Sequence, residues 1–146
     1  MTEETFTDND IRAKLTSGES LDFAWNVGRA LSDWLAAEGS VVVLRQDQVN
    51  EDLVKAVIEG SRLQGRGVCD AGTGNYETLK STIQNGGYAG GVLLGTSESD
   101  NHIVIELYKD SAELIDSRTG LSDIEMMIES GNMAPSATKG ELTQLA

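Results

Sequence analysis

One short run gathers hydroxyl and carboxylate groups: Gly95-Thr96-Ser97-Glu98-Ser99-Asp100, set between the apolar residues 90–94 and the alternating residues 102–107. A serine at the end of a buried strand can act as a nucleophile or carry a phosphoryl group, because its Oγ is displayed while nearby backbone N–H groups stabilise an anion. The same serine can be a turn residue bonded to its own backbone. Two arginines are candidates to meet an anion: Arg12, in FTDNDIRAKL, and Arg45, immediately after VVVL. A guanidinium grips a phosphate through two parallel hydrogen bonds, although either arginine can equally serve a surface ion pair.

Other chemistries find less support. Ser97 lacks a Gly-x-Ser-x-Gly elbow, and the single histidine, His102, falls on the adjoining strand, so a Ser-His-Asp triad is not built. Glu98 and Asp100 would need two or three more convergent oxygens to hold a divalent cation, and no metal site is assigned. The Gly72-Thr73-Gly74 turn carries Glu77 where the dinucleotide fingerprint needs a third glycine.

These residues need a frame to hold them. SLDFAWNVGRALSDWLAAEG predicts a helix capped by Ser20 and ended by Gly39, with Leu21, Ala24, Trp25, Gly28, Leu31 and Leu35 at helical spacing. Residues 41–44 predict a strand buried on both faces, and Asn50 opens a second helix. A strand over 67–71, a helix ending at Gly86 and Gly87, and a strand over 90–94 repeat the unit. Residues 102–107 alternate as a half-exposed edge strand, antiparallel to the one before because the loop is short. A last helix covers 121–128. The expected fold is α/β: a three-layer α/β/α sandwich on a mixed, mostly parallel four-stranded sheet, with one domain over 1–132 and a tail or linker stub over 133–146. In such a sheet ligands sit at the carboxyl ends of the strands, where Ser97 falls.

Composition narrows the partners. The 146 residues suit one domain, and 11 Lys plus Arg against 24 Asp plus Glu leave a net charge of −13, which repels nucleic acid and anionic membranes. The lone Cys69 makes no internal disulfide, the start lacks the pattern of a signal peptide, and no apolar run is long enough to span a bilayer. A cytoplasmic location is expected.

The order of the segments resembles the first domain of the α-D-phosphohexomutases, the phosphoglucomutase and phosphomannomutase family. FTDNDIRA is similar to that family's Phe-Gly-Thr-Asp-Gly-Ile-Arg-Gly opening, VVVLRQDQ to its Val-Val-Gly-Arg-Asp-x-Arg strand end, and AGGVLLGTSESDN to the strand and loop that carry its phosphoserine. LYKDSAELIDS closes the match. The resemblance implies Ser97 as the phosphoryl carrier, Arg12 and Arg45 as anion-binding residues, and intramolecular phosphoryl transfer on a hexose phosphate. Magnesium is implied for a complete family enzyme and no cofactor for this chain alone.

The departures share a direction. Glu98 stands at the family's histidine, Ser99 at its asparagine, Asp100 at its proline and Glu106 at a lysine, while Gln46 and Gln48 replace an aspartate and an arginine. Added negative charge disfavours a phosphoserine and a phosphosugar by like-charge repulsion. The expectation is a domain with weak or no turnover alone, completed by domains on another chain; the alternative is a non-catalytic module that binds sugar phosphate or pairs as a homodimer.

Overall fold

The computed structural model describes residues 4–6, 10–14, 19–47, 49–97, 102–131 and 133–144. The four expected strands form as read. They are β3 (Val41–Arg45), β4 (Val68–Thr73), β5 (Gly90–Ser97) and β6 (His102–Lys109). β3 lies parallel between β4 and β5, and β6 runs antiparallel to β5 in unbroken register from Gly90 opposite Lys109 to Ser97 opposite His102.

Three further strands widen the sheet to seven. β1 (Glu4–Phe6) pairs with β2 (Ile11–Lys14), β2 pairs with β6, and β7 (Leu142–Gln144) pairs with β4, giving the order β1-β2-β6-β5-β3-β4-β7. Three of its pairings are parallel and three antiparallel. The expectation that β6 is an edge strand is therefore corrected: β2 covers its outer side. Its half-exposed residues, Val104 and Glu106, lie on the face opposite the buried Ile103, Ile105 and Leu107. The added strands are three or four residues long, too short to show an alternation in sequence.

Four helices cover the sheet: α1 (Glu19–Trp34), α2 (Glu51–Leu63), α3 (Tyr76–Gly86) and α4 (Leu121–Ser130). One face packs α1, α2 and α4 on Val41, Val43, Val92, Leu94, Ile103 and Ile105. The other packs Leu79 and Ile83 of α3 on Val42, Leu44 and Leu93. The interleaving of Val41 and Val43 with Val42 and Leu44 is the two-residue period of a strand buried on both sides.

The Asn50 cap of α2 and the Gly87 stop of α3 follow the sequence, and Asn75 caps the start of α3 as well. Asn50 Oδ1 accepts from Asp52 N at 2.8 Å, Asn75 Oδ1 accepts from Thr78 N at 3.1 Å, and Gly87 closes α3 at φ 67°. For α1 the expected limits are corrected: Ser20 lies inside the helix, which stops at Trp34, well before Gly39. Its last turn carries no basic residue. The charge arrives from elsewhere: Arg66, after α2, donates to the carbonyls of Ser32 (2.7 Å), Leu35 (3.1 Å), Ala37 (2.7 Å) and Gly39 (3.0 Å). These are the orphan acceptors at and just beyond a helix end, where positive charge also meets the helix dipole. Burial, opposed by Asp33 and Glu38, lowers the Arg66 pKa, and the group remains a cation.

α1 and α2 touch backbone to backbone. A Cβ on Gly60 would sit 2.1 Å from Trp25 O, and one on Gly28 would sit 2.3 Å from Val57 O. Two glycines thus set the spacing of these helices. The segment after α4 lies along them. Met133 is buried, its carbonyl accepts from Arg29, Ser136 N donates to Leu63 O at 2.9 Å, and Gly140 N donates to Arg62 O at 2.8 Å. Lys139 Nζ and Arg62 Nη1 both meet Glu59 at 2.6 Å. The stretch read as a tail thus rests on the domain body before it joins the sheet as β7. Among the described residues no helix is long and apolar enough to cross a membrane.

Gly60→Val tests the helix spacing. We expect a loss of about 3 kcal/mol or more in urea unfolding, since a side chain there must displace backbone rather than a flexible side-chain end. A loss below about 1 kcal/mol would show that the helices can separate without cost.

Candidate functional site

The carboxyl ends of β3, β4 and β5 lie together: Arg45 is paired with Leu94 and Thr73, Gln46 N donates to Leu94 O at 2.9 Å, and Gly74 N donates to Arg45 O at 2.9 Å. Position 97 ends β5 on this side, opposite His102. Glu98, Ser99, Asp100 and Gln48, all singled out in the sequence, lie outside the described residues.

Arg45 turns toward α2. It shares a face with Val41 and Val43, and its Nη1 donates to Asp70 Oδ1 at 2.5 Å, while Nε and Nη2 clasp Glu51 at 2.9 and 2.7 Å. Burial alone would lower its pKa, but hydrogen bonds to Glu51 and Asp70 and their charges reverse that and raise it. Asp70 Oδ1 also accepts from Gly72 N at 3.0 Å. Three of the five donors of Arg45 are thus spent on carboxylates that tie β3, β4 and the first turn of α2 together.

Arg12 turns to the opposite face. Ile11, its neighbour, is in the α1 core, so Arg12 in β2 falls on the α3 side, paired across the strands with Val104. The same row continues to Gly95, two residues before Ser97, because Gly95 pairs with Val104 from the other side. Strand spacing places Arg12 and Gly95 about 10 Å apart. The structure therefore brings Arg12 to the half of the sheet that holds the end of β5, and it does not bring Arg45 to Arg12.

Two features of this face were not read from sequence. The Gln46 side chain lies over Gly95, where a Cβ would stand 2.6 Å from its Oε1. The glycine is what leaves room for the amide beside the strand end. Around Arg12, a titratable cluster assembles: its Nε and Nη2 donate to Asp10 at 3.3 and 3.5 Å, and Glu106 lies diagonally across on β6. Burial and the charge of Asp10 raise the Glu106 pKa, against a hydrogen bond from the Tyr108 hydroxyl and the charge of Arg12. Burial and Glu106 in turn raise the Tyr108 pKa. The signal for the cluster was present as alternation, 10 and 12 against 104, 106 and 108. It could be used only with the pairing of β2 to β6.

One cleft of about 420 Å³, lined by Trp34, Leu35, Ala37, Ala89, Lys109 and Asp110, opens at the other end of the sheet, before β5 begins. It shares no residue with the strand-end site.

Fold and site together define an α/β domain that presents polar side chains where its parallel strands finish, the usual ligand position of such sheets. No family model matches the chain. Against curated proteins it is 30% identical over 142 residues to the phosphomannomutase of Salmonella typhimurium, covering 94% of this chain and 31% of that protein. A phosphomannomutase of Klebsiella pneumoniae is 29% identical over 140 residues, covering 94% of this chain and 89% of that one. Among solved structures, a phosphoglucomutase/phosphomannomutase family protein from Burkholderia thailandensis superposes with a TM-score of 0.77 at 18% identity, over 96% of this chain and 33% of that one. These similarities support a divergent domain of the phosphohexomutase kind. The chain spans under a third of the length of the Salmonella relative.

Replacing Arg45 by Met, which keeps bulk and removes charge, is expected to cost about 1 to 2 kcal/mol in denaturant unfolding, because Asp70 is left half-buried without its partner. An unchanged midpoint would show that the ion-pair cluster is not structural.

Proposed function

We propose that this chain acts as the phosphoserine-bearing first domain of a divergent phosphohexomutase, with Ser97 as the phosphoryl carrier and Arg12 assisting the anion. The observation that carries the reading is the agreement of two independent things: homology to phosphomannomutases over 94% of the chain, and a serine that closes the parallel strand β5. In this reading phosphorylated Ser97 gives its phosphoryl group to a free hydroxyl of a hexose phosphate, and its Oγ then takes the other phosphoryl group back from the bisphosphate so formed, so the net reaction is an intramolecular transfer. Arg12 offers a half-exposed guanidinium, 42% accessible, on the face toward the strand end. Arg45 contributes by holding the strand ends in place.

Among the described residues no three carboxylate, imidazole or thiol groups converge as a divalent ion requires. They do not by themselves fit the magnesium implied for a complete enzyme, and no step is routed through it. Phosphoryl transfer depends on positioning and on neutralising charge, so groups from the remaining two-thirds of a full-length enzyme would supply most of the rate.

Mass spectrometry of the native protein is expected to show one phosphate on the peptide containing Ser97, absent in Ser97→Ala. With chains supplying the other domains, hexose 1-phosphate and 6-phosphate should interconvert. No phosphoserine, together with no turnover alone or in such mixtures, would sink the reading.

A further inference from the structure

The Arg12 cluster carries a consequence for what this site accepts. Arg12 is the only cation on it among the described groups named around Glu106, and two carboxylates flank it. Asp10 receives its hydrogen bonds from the same strand side, and Glu106 lies on β6 two residues beyond Val104, the partner of Arg12, on the same face. Diagonal neighbours on one sheet face are within reach of long side chains. With both carboxylates ionised, the cluster is net negative and the guanidinium is more than compensated. With Glu106 neutral, the cluster is uncharged and Arg12 can turn its exposed donors to an anion.

We propose that Glu106, acting with Asp10, sets the charge of the anion site at Arg12, so that the domain binds a dianionic phosphoryl group more tightly when Glu106 is protonated than when it is ionised. Glu106 is a specificity-determining residue in this scheme and makes no bond to the phosphoryl group itself. The inference rests on Arg12 being the anion-binding arginine of the proposed function, and it adds how that site is regulated.

The groups facing Glu106 agree with a proton-linked role. From β2 and the residue before it come Arg12, which opposes protonation, and Asp10, which favours it; from its own strand Tyr108 donates a hydrogen bond to the carboxylate; from β5 the residue opposite is the apolar Leu93. α3 contributes Tyr76, whose ring lies 5.2 Å from that of Tyr108 and whose hydroxyl is committed to Ala112 O at 3.1 Å. Half-burial weighs most, and the net direction is upward, so the carboxyl takes its proton at a higher pH than an exposed glutamate does. The sign for binding follows: affinity for a dianion rises as pH falls through that raised pKa and is lowest where Glu106 is fully ionised.

Sulfate is the suitable probe, because it stays a dianion across the range while phosphate does not. The amide signals of Arg12 and Val104 can be followed by NMR during sulfate titrations at low ionic strength, from about pH 7.5 to about pH 5. Wild-type protein should bind about fivefold tighter at the acid end, the size expected of one unit charge a few ångströms away in a partly solvated site. Glu106→Gln, which preserves shape and can still pair with Tyr108, should bind about fivefold tighter than wild type at the neutral end and lose the pH dependence. Asp10→Asn should keep the dependence with its midpoint moved to lower pH, and Arg12→Gln should bind at neither end. The proposal is overturned if Glu106→Gln binds no tighter than wild type at the neutral end, if it retains the wild-type profile, or if sulfate perturbs these amides in no variant. Failure of the phosphotransfer reading would appear separately, as an unphosphorylated Ser97 with the sulfate titrations intact.

Discussion

The two-residue period of a strand sends successive side chains to opposite faces of a sheet, and here it divides charges as firmly as it divides cores. Val41 and Val43 enter one core and Val42 and Leu44 the other. Carried one step further, the same period sends Arg45 to the α2 side, where Glu51 and Asp70 take it. On β2 it sends Ile11 into the α1 core and leaves Arg12 on the α3 side. Two arginines that sequence offers as partners on one anion are thereby separated by the thickness of the sheet. A shift of one residue in either strand would carry its arginine to the other face, at the cost of exposing a core side chain.

The two faces are also covered unequally, and this shapes the site. Three helices seal one face, while α3 lies over β3 and β5 and meets β6 at Tyr108. The β6–β2 half of the α3 face is left to Arg12, Glu106 and Val104, all half-buried. Half-burial is the condition under which a carboxyl feels both desolvation and its neighbours, and it gives Glu106 its upward pKa shift and Tyr108 its own. In a chain of net charge −13 the surrounding field adds to the local one, so an anion site here depends on how few of its neighbours are ionised.

Much of the architecture answers to contacts between segments far apart in the chain. The end of α1 is held by Arg66, more than thirty residues beyond the carbonyl of Ser32 that it caps. The approach of α1 to α2 depends on Gly28 and Gly60 facing each other's backbone. Residues 133–140 are fixed by Arg29, Leu63 and Arg62 before β7 extends the sheet past β4. None of these has a local signature, which is why a composition of small and polar residues near Pro135 reads as a tail.

Residue order alone determined the α/β class, the four central strands, the Asn50 cap and the Gly87 stop, and the resemblance to the phosphohexomutases, because each rests on local periodicity, cap chemistry or a run of matching residues. It also brought forward Ser97, Arg12 and Arg45. Tertiary structure decided what becomes of them. The pairing of β2 with β6 turned a polar opening segment into an interior strand neighbour and set Arg12 beside Asp10 and Glu106. Parity and the first turn of α2 withdrew Arg45 into ion pairs. The reason is that charge interacts through space, and which charges are close is settled by strand register and by helix coverage, neither of which a linear spacing records.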